Sequence, residues 1–302
     1  MSIAHERFTY ADKYGVTIHA RRWLPSPDEQ ATGPIAADPS TIDISNPIGV
    51  VQILHGLAEH SDRYTEFAED LAHAGFIVYA DDHRGHGRTG LEQWGDDPAK
   101  IAKLGKGGLR GTEDAITQLT AMIRSEHPGL PVAVFGHSWG SLMTQRIINR
   151  EPELWDAVIL SGSAYRTPRH MNSGDLNEGF GDKNGHEWLS RDPEVWRKMA
   201  ADPRTTNVNV FRMFGVTNAV KLFGTPKQAA ANIPILIVSG SADPLNLNDG
   251  LTLLATAYRK AGAQHVSLRL YPEARHELIN ETNRSEVISD LVTWLSDRLS
   301  AE

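Results

Sequence analysis

The pentapeptide Gly136-His137-Ser138-Trp139-Gly140 decides the fold, because it follows the apolar run at residues 131–135 and precedes a helix-like stretch. This is the G-x-S-x-G pattern in a strand–turn–helix context, in which a sharp turn exposes a serine at the edge of a sheet. Glycine at both ends avoids clashes with the neighbouring strand and helix. The positive end of the following helix would face the point where negative charge develops. The pattern therefore predicts a nucleophilic Ser138, provided that its partners follow in the chain.

Ser138 needs a base and an acid, because a serine hydroxyl is a weak nucleophile at neutral pH. On a parallel α/β sheet the expected order is serine, acid and histidine, each just beyond the carboxyl end of a strand. Asp243 follows the predicted strand at residues 233–239, and His276 follows the predicted strand at residues 266–271. We therefore expect Ser138, Asp243 and His276 to form a catalytic triad.

Two other residues compete for the roles of acid and base. Asp249 is an alternative acid, but it lies further along the chain, in what should be the next helix. His265 is an alternative base, but it precedes the strand at residues 266–271 and so belongs to the opposite edge of the sheet. Their positions favour Asp243 and His276.

An oxyanion hole requires two backbone N–H donors beside the nucleophile. One is expected from Trp139, the residue after the serine. The other is expected from His55-Gly56-Leu57, which follows the predicted strand at residues 48–54. Because Gly56 lets the backbone approach a substrate oxygen, the N–H of Leu57 is the candidate donor.

Strand-like and helix-like segments alternate along the chain, which predicts an α/β fold with a mostly parallel sheet flanked by helices. Residues 112–127 have apolar side chains on one helical face, and a final helix should begin near Asn283, with Glu286 in the capping-box position. The first two strands are expected to form a hairpin. The predicted strands are residues 7–10, 16–23, 48–54, 76–80, 132–135, 155–160, 233–239 and 266–271.

Two stretches interrupt the alternation of strands and helices. Residues 25–47 hold five prolines among small and acidic residues, which predicts a mobile, solvated surface insert. Residues 163–226 are rich in aromatic side chains without a clear strand, and they follow a core strand. We expect them to form a helical cap inserted over the active-site edge. The hydrolytic core would then consist of residues 1–162 and 227–302.

The composition limits the class of protein. The chain has 302 residues, 40% hydrophobic and 23% charged, which is ordinary for a globular enzyme. A net charge of −8 argues against nucleic acid as a partner, and the absence of cysteine excludes disulfides and thiolate chemistry. The first ten residues lack the apolar centre of a signal peptide, and no run approaches the ~18 apolar residues of a membrane span. The expected location is therefore cytoplasmic.

Two further patterns suggest other chemistry. Residues 85–90 satisfy G-x-G-x-x-G, but no amphipathic helix is expected after them, and a dinucleotide site needs a helix N-terminus for the pyrophosphate. A structural turn is the favoured interpretation. Four histidines lie close together in sequence, but their spacing matches no usual zinc pattern. They are His55, His60, His83 and His86. We expect them to bond loop backbone, and we expect no metal and no cofactor.

The chain resembles the monoacylglycerol lipase and bacterial lysophospholipase branch of the α/β-hydrolases. The resemblance rests on three blocks: His-Gly-Leu-Ala-Glu-His-Ser-Asp-Arg-Tyr at residues 55–64, Asp-His-Arg-Gly-His-Gly at residues 82–87 and the pentapeptide at residues 136–140. It extends from about Arg7 to Leu299 and is weakest in the predicted cap. The resemblance implies the α/β-hydrolase fold, a mobile cap, and a serine hydrolase of carboxylic esters, often with a single long acyl chain.

The substrate class leaves alternatives open. The same triad would serve a general short-chain carboxylesterase, or a peptidase or amidase. A non-catalytic binding protein of the same fold would lack a triad member, whereas all three are present. The expected partner is a small ester or monoacyl lipid, with transient contact between the cap and a membrane or micelle. Trp139 departs from the usual pattern, and its bulk is expected near the acyl group.

Overall fold

An eight-stranded sheet forms the centre of the computed structural model, which describes residues 5–25, 46–95, 97–181, 185–206 and 214–300. The strands are β1 (His5–Ala11), β2 (Thr17–Trp23), β3 (Gly49–Leu54), β4 (Phe76–Asp81), β5 (Val132–His137), β6 (Ala157–Ser161), β7 (Ile235–Gly240) and β8 (Val266–Tyr271). Their order across the sheet is β1-β2-β4-β3-β5-β6-β7-β8. The β1–β2 and β2–β4 pairs are antiparallel, and all later pairs are parallel. The predicted opening hairpin and mostly parallel sheet are confirmed.

Helices cover both faces of the sheet. The helices of the described residues are α1 (Thr65–His73), α2 (Gly87–Trp94), α3 (Gly108–Glu126), α4 (Trp139–Ile148), α5 (Pro193–Ala201), α6 (Val216–Lys221), α7 (Gly250–Lys260) and α8 (Arg284–Leu299). Helices α3, α4 and α7 contribute to the core on one face, and α1 and α8 to the core on the other. Strand β3 shows the consequence: Val50 and Leu54 enter the first core, while Val51 and Ile53 enter the second.

A helix begins within the motif at residues 85–90, although the sequence predicted only a structural turn there. Helix α2 begins at Gly87, because the carboxylate of Asp82 accepts the N–H of Arg88 (2.8 Å) and caps its first turn. A Cβ on Gly87 would lie 2.3 Å from the same carboxylate, at a backbone φ of 51°. The helix N-terminus therefore faces a buried anion of the protein itself, which does not suit a pyrophosphate.

The predicted capping box at the start of α8 is not formed. The N-cap residue is Asn283, but its Nδ2 donates to Glu286 (3.0 Å), and its side chain accepts no helix N–H. The Oδ1 atom accepts instead from Arg191 (2.9 Å). A contact with a distant part of the chain has replaced the local cap.

The segment between β6 and β7 contains a 3₁₀ turn at Glu187–Leu189 and helices α5 and α6. Helix α5 begins where Asp192 accepts the N–H of Glu194 (2.9 Å) and Pro193 takes the first helical position. Most of the expected surface insert at residues 25–47 lies outside the described residues. Within the described ranges, no helix is both long and apolar enough to cross a membrane.

Candidate active site

Ser138 lies at a sharp turn between β5 and α4, as its motif predicts. Its backbone has φ 52° and ψ −121°, which an L-residue rarely adopts. A Cβ on Gly140 would lie 2.3 Å from the carbonyl oxygen of Leu54, and a Cβ on Gly136 would lie 2.6 Å from Thr144. Both glycines are therefore required by close approach of the neighbouring strand and helix. The N–H of Ser138 donates to the carbonyl of Ser161 (2.9 Å), which holds the turn against β6.

Asp243 and His276 meet beyond the carboxyl ends of β7 and β8. The Nδ1 atom of His276 lies 2.9 Å from Oδ2 of Asp243, and both side chains are buried. Asp243 also accepts a hydrogen bond from the hydroxyl of Ser239 (3.0 Å) and from the N–H of Leu245 (2.9 Å). The carboxylate is thus fixed by two further donors and holds the imidazole with its Nε2 edge free to face a nucleophile.

The contact between Asp243 and His276 shifts the pKa values of both side chains. Burial alone would raise the pKa of Asp243, but the adjacent His276 and the hydrogen bonds outweigh it, so that pKa is lowered. Burial alone would lower the pKa of His276, but the Asp243 carboxylate outweighs it, and Glu277 and Glu59 act in the same direction. The pKa of His276 is therefore raised above its usual value of 6.5.

Ser138 and His276 line the same cavity. The Nε2 atom of His276 is buried and has no hydrogen-bond partner among the described residues, so the serine hydroxyl is not bonded to it in this structure. Such contacts often tighten only when a substrate is bound. The structure thus brings Asp243 and His276 into direct contact and places Ser138 beside the same cavity.

The competing residues lie elsewhere. Asp249 is exposed and immediately precedes α7, as its N-cap residue. His265 is exposed and precedes β8, at the edge of the sheet opposite the cavity. Neither side chain belongs to the cavity lining that the structure describes.

The loop after β3 approaches Ser138 closely. A Cβ on Gly56 would lie 3.2 Å from Cβ of Ser138 and 2.6 Å from the carboxylate of Glu59. The N–H of Gly56 donates to that carboxylate (2.6 Å), which fixes the peptide next to Leu57. Leu57 and Trp139 both line the cavity. The oxyanion hole formed by their N–H groups stays a prediction.

Sequence reasoning missed a buried charged network beside this loop. The Nε of Arg63 donates to Glu59 (2.8 Å), and its NH2 donates to both oxygens of Glu277 (2.6 Å). The hydroxyl of Tyr64 donates to Glu59 (2.6 Å). Burial would raise the pKa of Glu59, but Arg63 and the hydrogen bonds outweigh it, so that pKa is lowered. At Glu277 burial dominates, so its pKa is raised. The block at residues 55–64 contained Glu59 and Arg63, but no local signal linked them to residue 277.

Three of the four histidines singled out in the sequence pack against one another and against Trp139, the residue after Ser138. The rings of His55 and His83 stack at 3.9 Å, and His86 stacks on Trp139 at 5.0 Å. The N–H of His83 donates to His55 (2.9 Å), and His86 Nδ1 lies 2.9 Å from the carbonyl of Arg84. Burial lowers the pKa of His86 to about 4. Among the described residues, no group of three or more His, Asp or Glu side chains is arranged to hold a metal ion.

His60, the fourth histidine, contacts a carboxylate of the inserted segment instead. Its Nε2 lies 2.9 Å from Oδ2 of Asp202.

The cavity has a volume of about 470 Å³, which is typical of a site for a small ligand. Trp139 lines it, and the indole also packs against Phe214 at 5.0 Å. The lining contains both apolar and polar side chains. The apolar ones include Leu57, Leu142, Leu176, Leu222 and Leu245, and the polar ones include Glu59, Asn172, Asp175, His186 and Glu277. An amphipathic molecule fits this mixed lining.

Comparisons with known proteins agree with this geometry. A family model described as serine aminopeptidase S33 matches residues 45–283. A monoacylglycerol lipase of Mycolicibacterium smegmatis is 32% identical over 268 residues, which cover 84% of this chain and 90% of that protein. A monoglyceride lipase homologue of Monkeypox virus is 29% identical, covering 85% of this chain and 92% of that protein.

The fold also has close counterparts among solved structures. A thermostable carboxyl esterase from Bacillus coagulans, in complex with glycerol, superposes with a TM-score of 0.79 at 23% identity. The match covers 99% of this chain and 100% of the esterase, which establishes the same fold over the whole length. The family model spans most of the chain, and the bacterial relative agrees with it over nearly the same range. The chain therefore belongs to the serine aminopeptidase S33 family, in the monoacylglycerol lipase branch of the α/β-hydrolases.

Proposed function

We propose that the protein hydrolyses carboxylic esters that carry a single acyl chain, with Ser138 as the nucleophile. The observation that carries the proposal is the pair of His276 and Asp243 beside the serine turn, at one wall of an amphipathic cavity. The names of the two relatives, a monoacylglycerol lipase and a monoglyceride lipase homologue, support the same class of substrate.

The proposed reaction passes through an acyl-enzyme. The Oγ of Ser138 attacks the ester carbonyl carbon while Nε2 of His276 takes its proton, and Asp243 stabilises the resulting imidazolium. The N–H groups of Leu57 and Trp139 bind the oxyanion. As the tetrahedral intermediate collapses, His276 gives the proton to the departing alcohol. His276 then removes a proton from water, which attacks the carbonyl carbon of the acyl-enzyme. As this second intermediate collapses, His276 returns the proton to Oγ of Ser138, which releases the fatty acid and the free serine.

Ser138→Ala tests the nucleophile. Turnover of a monoacylglycerol or a p-nitrophenyl ester should fall about 10⁴-fold or more, with the fold retained in circular dichroism. A fluorophosphonate should label the unaltered protein at Ser138 and leave the variant unlabelled. Unchanged turnover by the variant, or no adduct on Ser138, contradicts the proposal. The second result would favour a non-catalytic binding protein of the same fold.

The charge of the cavity favours a neutral head group. The charged lining residues in the described part of the chain are Glu59, Asp175 and Glu277, and Arg63 behind them already pairs with both glutamates. A phosphate would meet net negative charge, whereas a glycerol would meet hydrogen-bonding groups. We expect about tenfold or more preference for a monoacylglycerol over a lysophospholipid of the same acyl length. Equal kcat/KM values for the two would contradict this assignment.

An amide substrate is the second candidate, because the matching family model is described as a serine aminopeptidase. The same triad chemistry would serve an amide. Comparison of a monoacylglycerol with an aminoacyl p-nitroanilide decides between them. A higher kcat/KM on the anilide would replace the ester proposal with a peptidase.

The proposed cap comprises residues 163–226 between two parts of the core, 1–162 and 227–302. Its described part supplies Leu176, Trp188 and Met199 to the cavity lining, which supports a covering role. Val220 on α6 is 55% exposed, an apolar side chain suited to transient contact with a membrane or micelle. Val220→Glu should reduce flotation with phosphatidylcholine vesicles while leaving turnover of a soluble short-chain ester unchanged. Equal flotation of the two proteins would contradict the contact.

A further inference from the structure

A short part of the inserted segment is bound to the loop that carries His276. The N–H of Glu277 donates to the carbonyl of Leu189 (2.7 Å), directly after the histidine. Before the histidine, NH1 of Arg275 donates to the carbonyl oxygens of Glu187 (2.5 Å) and Ser190 (3.1 Å). Both chain neighbours of His276 are therefore tied to residues 187–190. This part of the segment is fixed to the base loop, whatever the rest of the segment does.

Trp188 lies at the centre of this attachment and covers one face of His276. The two ring centroids are 4.6 Å apart, with an angle of 41° between the planes. The backbone N–H of Trp188 donates to Oδ1 of Asn177 (3.0 Å), which holds the residue in place. The ring of His137 also adjoins the imidazole, at 4.7 Å and 54°. The imidazole of His276 thus packs against two neighbouring rings.

This packing has two physical consequences. A ring held at one edge by Asp243 can still turn about its Cβ–Cγ bond, and packing against the two neighbouring rings restricts that rotation. In addition, the face of an indole attracts a cation within about 6 Å, and an attraction of about 0.5–2 kcal/mol is typical. The imidazole of His276 becomes such a cation whenever it accepts the proton of Ser138.

We propose that Trp188 is a positioning residue for His276, which holds the imidazole towards Ser138 and faces the imidazolium formed during the reaction. The proposal rests on the proposed function, because it assigns the base of that reaction. It also divides the predicted cap: residues 187–190 act with the core, and a movement of the cap would involve other parts of it.

Other groups also act on the charge of His276. Asp243 and Glu277 adjoin the ring, and Glu59 faces it from the loop after β3. Arg63 pairs with the two glutamates, and the pKa of His137 is lowered to about 3 by burial, so that this ring is neutral at working pH. A substitution at position 188 leaves all of these groups in place.

Two substitutions at position 188 distinguish the effect of the aromatic face from the effect of side-chain size. Trp188→Phe and Trp188→Leu open similar space and admit similar hydration, but only the phenylalanine retains an aromatic face. The pKa of His276 is measured by ¹⁵N NMR titration of the imidazole without substrate. It should be lower in Trp188→Leu than in Trp188→Phe by about 0.4 to 1.5 pH units. The acid limb of kcat/KM on a p-nitrophenyl ester should move in the same direction.

The matched control is Trp294→Leu, because Trp294 is also half-buried but packs on the core through α8, away from the cavity. This control should retain the titration of His276 and the kcat of the unaltered protein. Equal pKa values in the two Trp188 variants, or a higher value in Trp188→Leu, overturn the proposal. Since the titration needs no turnover, its outcome is independent of the proposed function. If the unaltered protein has no esterase activity, the proposed function is wrong.

Discussion

Ser138 combines the proposed chemistry with a strained backbone. A conformation of this kind costs about 1–3 kcal/mol for a residue with a side chain. The surrounding contacts maintain it: the N–H of Ser138 bonds to β6, and its carbonyl accepts from the hydroxyl of Ser141 (2.6 Å) and the N–H of Leu142 (3.1 Å). The proposed nucleophile is therefore held in position at the expense of local stability.

Ser138→Gly should be more stable than Ser138→Ala, although both lack the nucleophile. Glycine relieves the strain at φ 52°, while its greater freedom in the unfolded chain offsets part of the gain. The expected difference in the free energy of unfolding is about 1 kcal/mol in favour of glycine. Urea denaturation of the two inactive variants measures it. A less stable glycine variant would show that the turn is not strained.

Trp139 is expected to influence acyl preference through its side chain and not through its N–H. Trp139→Leu removes the indole, which enlarges the cavity on that side, and retains the backbone N–H of residue 139. The ratio of kcat/KM for a branched or longer p-nitrophenyl ester to that for the butyrate should rise about tenfold. Trp94→Leu, in α2 and outside the cavity lining, serves as the matched control and should leave the ratio unchanged. An unaltered ratio in Trp139→Leu would exclude a role of the indole in acyl selection.

The residues that sequence could predict are those that follow strands or stand in local motifs. Ser138, Asp243 and His276 each lie within five residues of the carboxyl end of a strand, so topology alone places them at one edge. Trp188 and Glu277 carry no such signal. Their roles depend on contacts between distant parts of the chain, such as that between Arg63 and Glu277, 214 residues apart. Pairings of this kind appear only when the inserted segment and the loops are packed.

At the scale of secondary structure, Glu281 connects the inserted segment to the loop that carries His276. Its Oε1 accepts the backbone N–H groups of Arg191 (3.0 Å) and Arg275 (2.8 Å). Its Oε2 accepts from Nε of Arg191 (2.9 Å) and from the N–H of Thr282 (2.7 Å). One buried carboxylate thus satisfies four donors from three places in the chain. This explains why a long irregular segment keeps a defined position.

Glu281→Gln should destabilise the protein by about 3 kcal/mol, because the amide presents a donor where the carboxylate accepts. Burial would raise the pKa of Glu281, but the hydrogen bonds outweigh it and the pKa is lowered. The stabilisation by this group is therefore present above the unfolded pKa of 4.5 and is lost as pH falls below it. Urea denaturation at pH 7 and pH 4 should show a smaller difference between the two proteins at pH 4.

Glu273→Gln is the matched control for this substitution. Glu273 lies 3.8 Å from the same Arg191, but its side chain is 87% exposed. An exposed ion pair contributes about 0–1 kcal/mol, so little change is expected at either pH. A loss in Glu273→Gln equal to that in Glu281→Gln would contradict the anchoring role of Glu281.

The elements were predictable where a single stretch of sequence determines them. Strands such as β3 and β4 are buried throughout and mostly apolar, because helices cover both faces of the sheet. Helix α2 was missed since its eight residues include two glycines, and Asp82, five residues before its start, supplies the group that caps its first turn. The capping box at α8 failed for the converse reason, because Arg191 takes the oxygen that the local pattern requires.

At the scale of the whole molecule, three buried neutral histidines make folding sensitive to acid. Burial lowers the pKa of His86 to about 4 and that of His137 to about 3, and it also lowers that of His55 well below its usual range. Each binds a proton more readily in the unfolded chain, so each contributes stability above pH 6.5 that is lost as pH falls. His276 has the opposite shift, and its contribution is already complete below pH 6.5. Burial also lowers the pKa values of the less buried His5, His127 and His186, which add to the same acid response.

Between pH 6.5 and pH 5, a histidine with a folded pKa of about 4, such as His86, should cost about 2 kcal/mol of unfolding free energy. His86→Gln removes this titrating ring, so it should reduce the loss over this range by about 2 kcal/mol, as measured by urea denaturation at both pH values. His265→Gln is the matched control, because His265 is exposed before β8 and should leave the loss unchanged. A pH dependence that is the same in all three proteins would show that His86 is charged in the folded state.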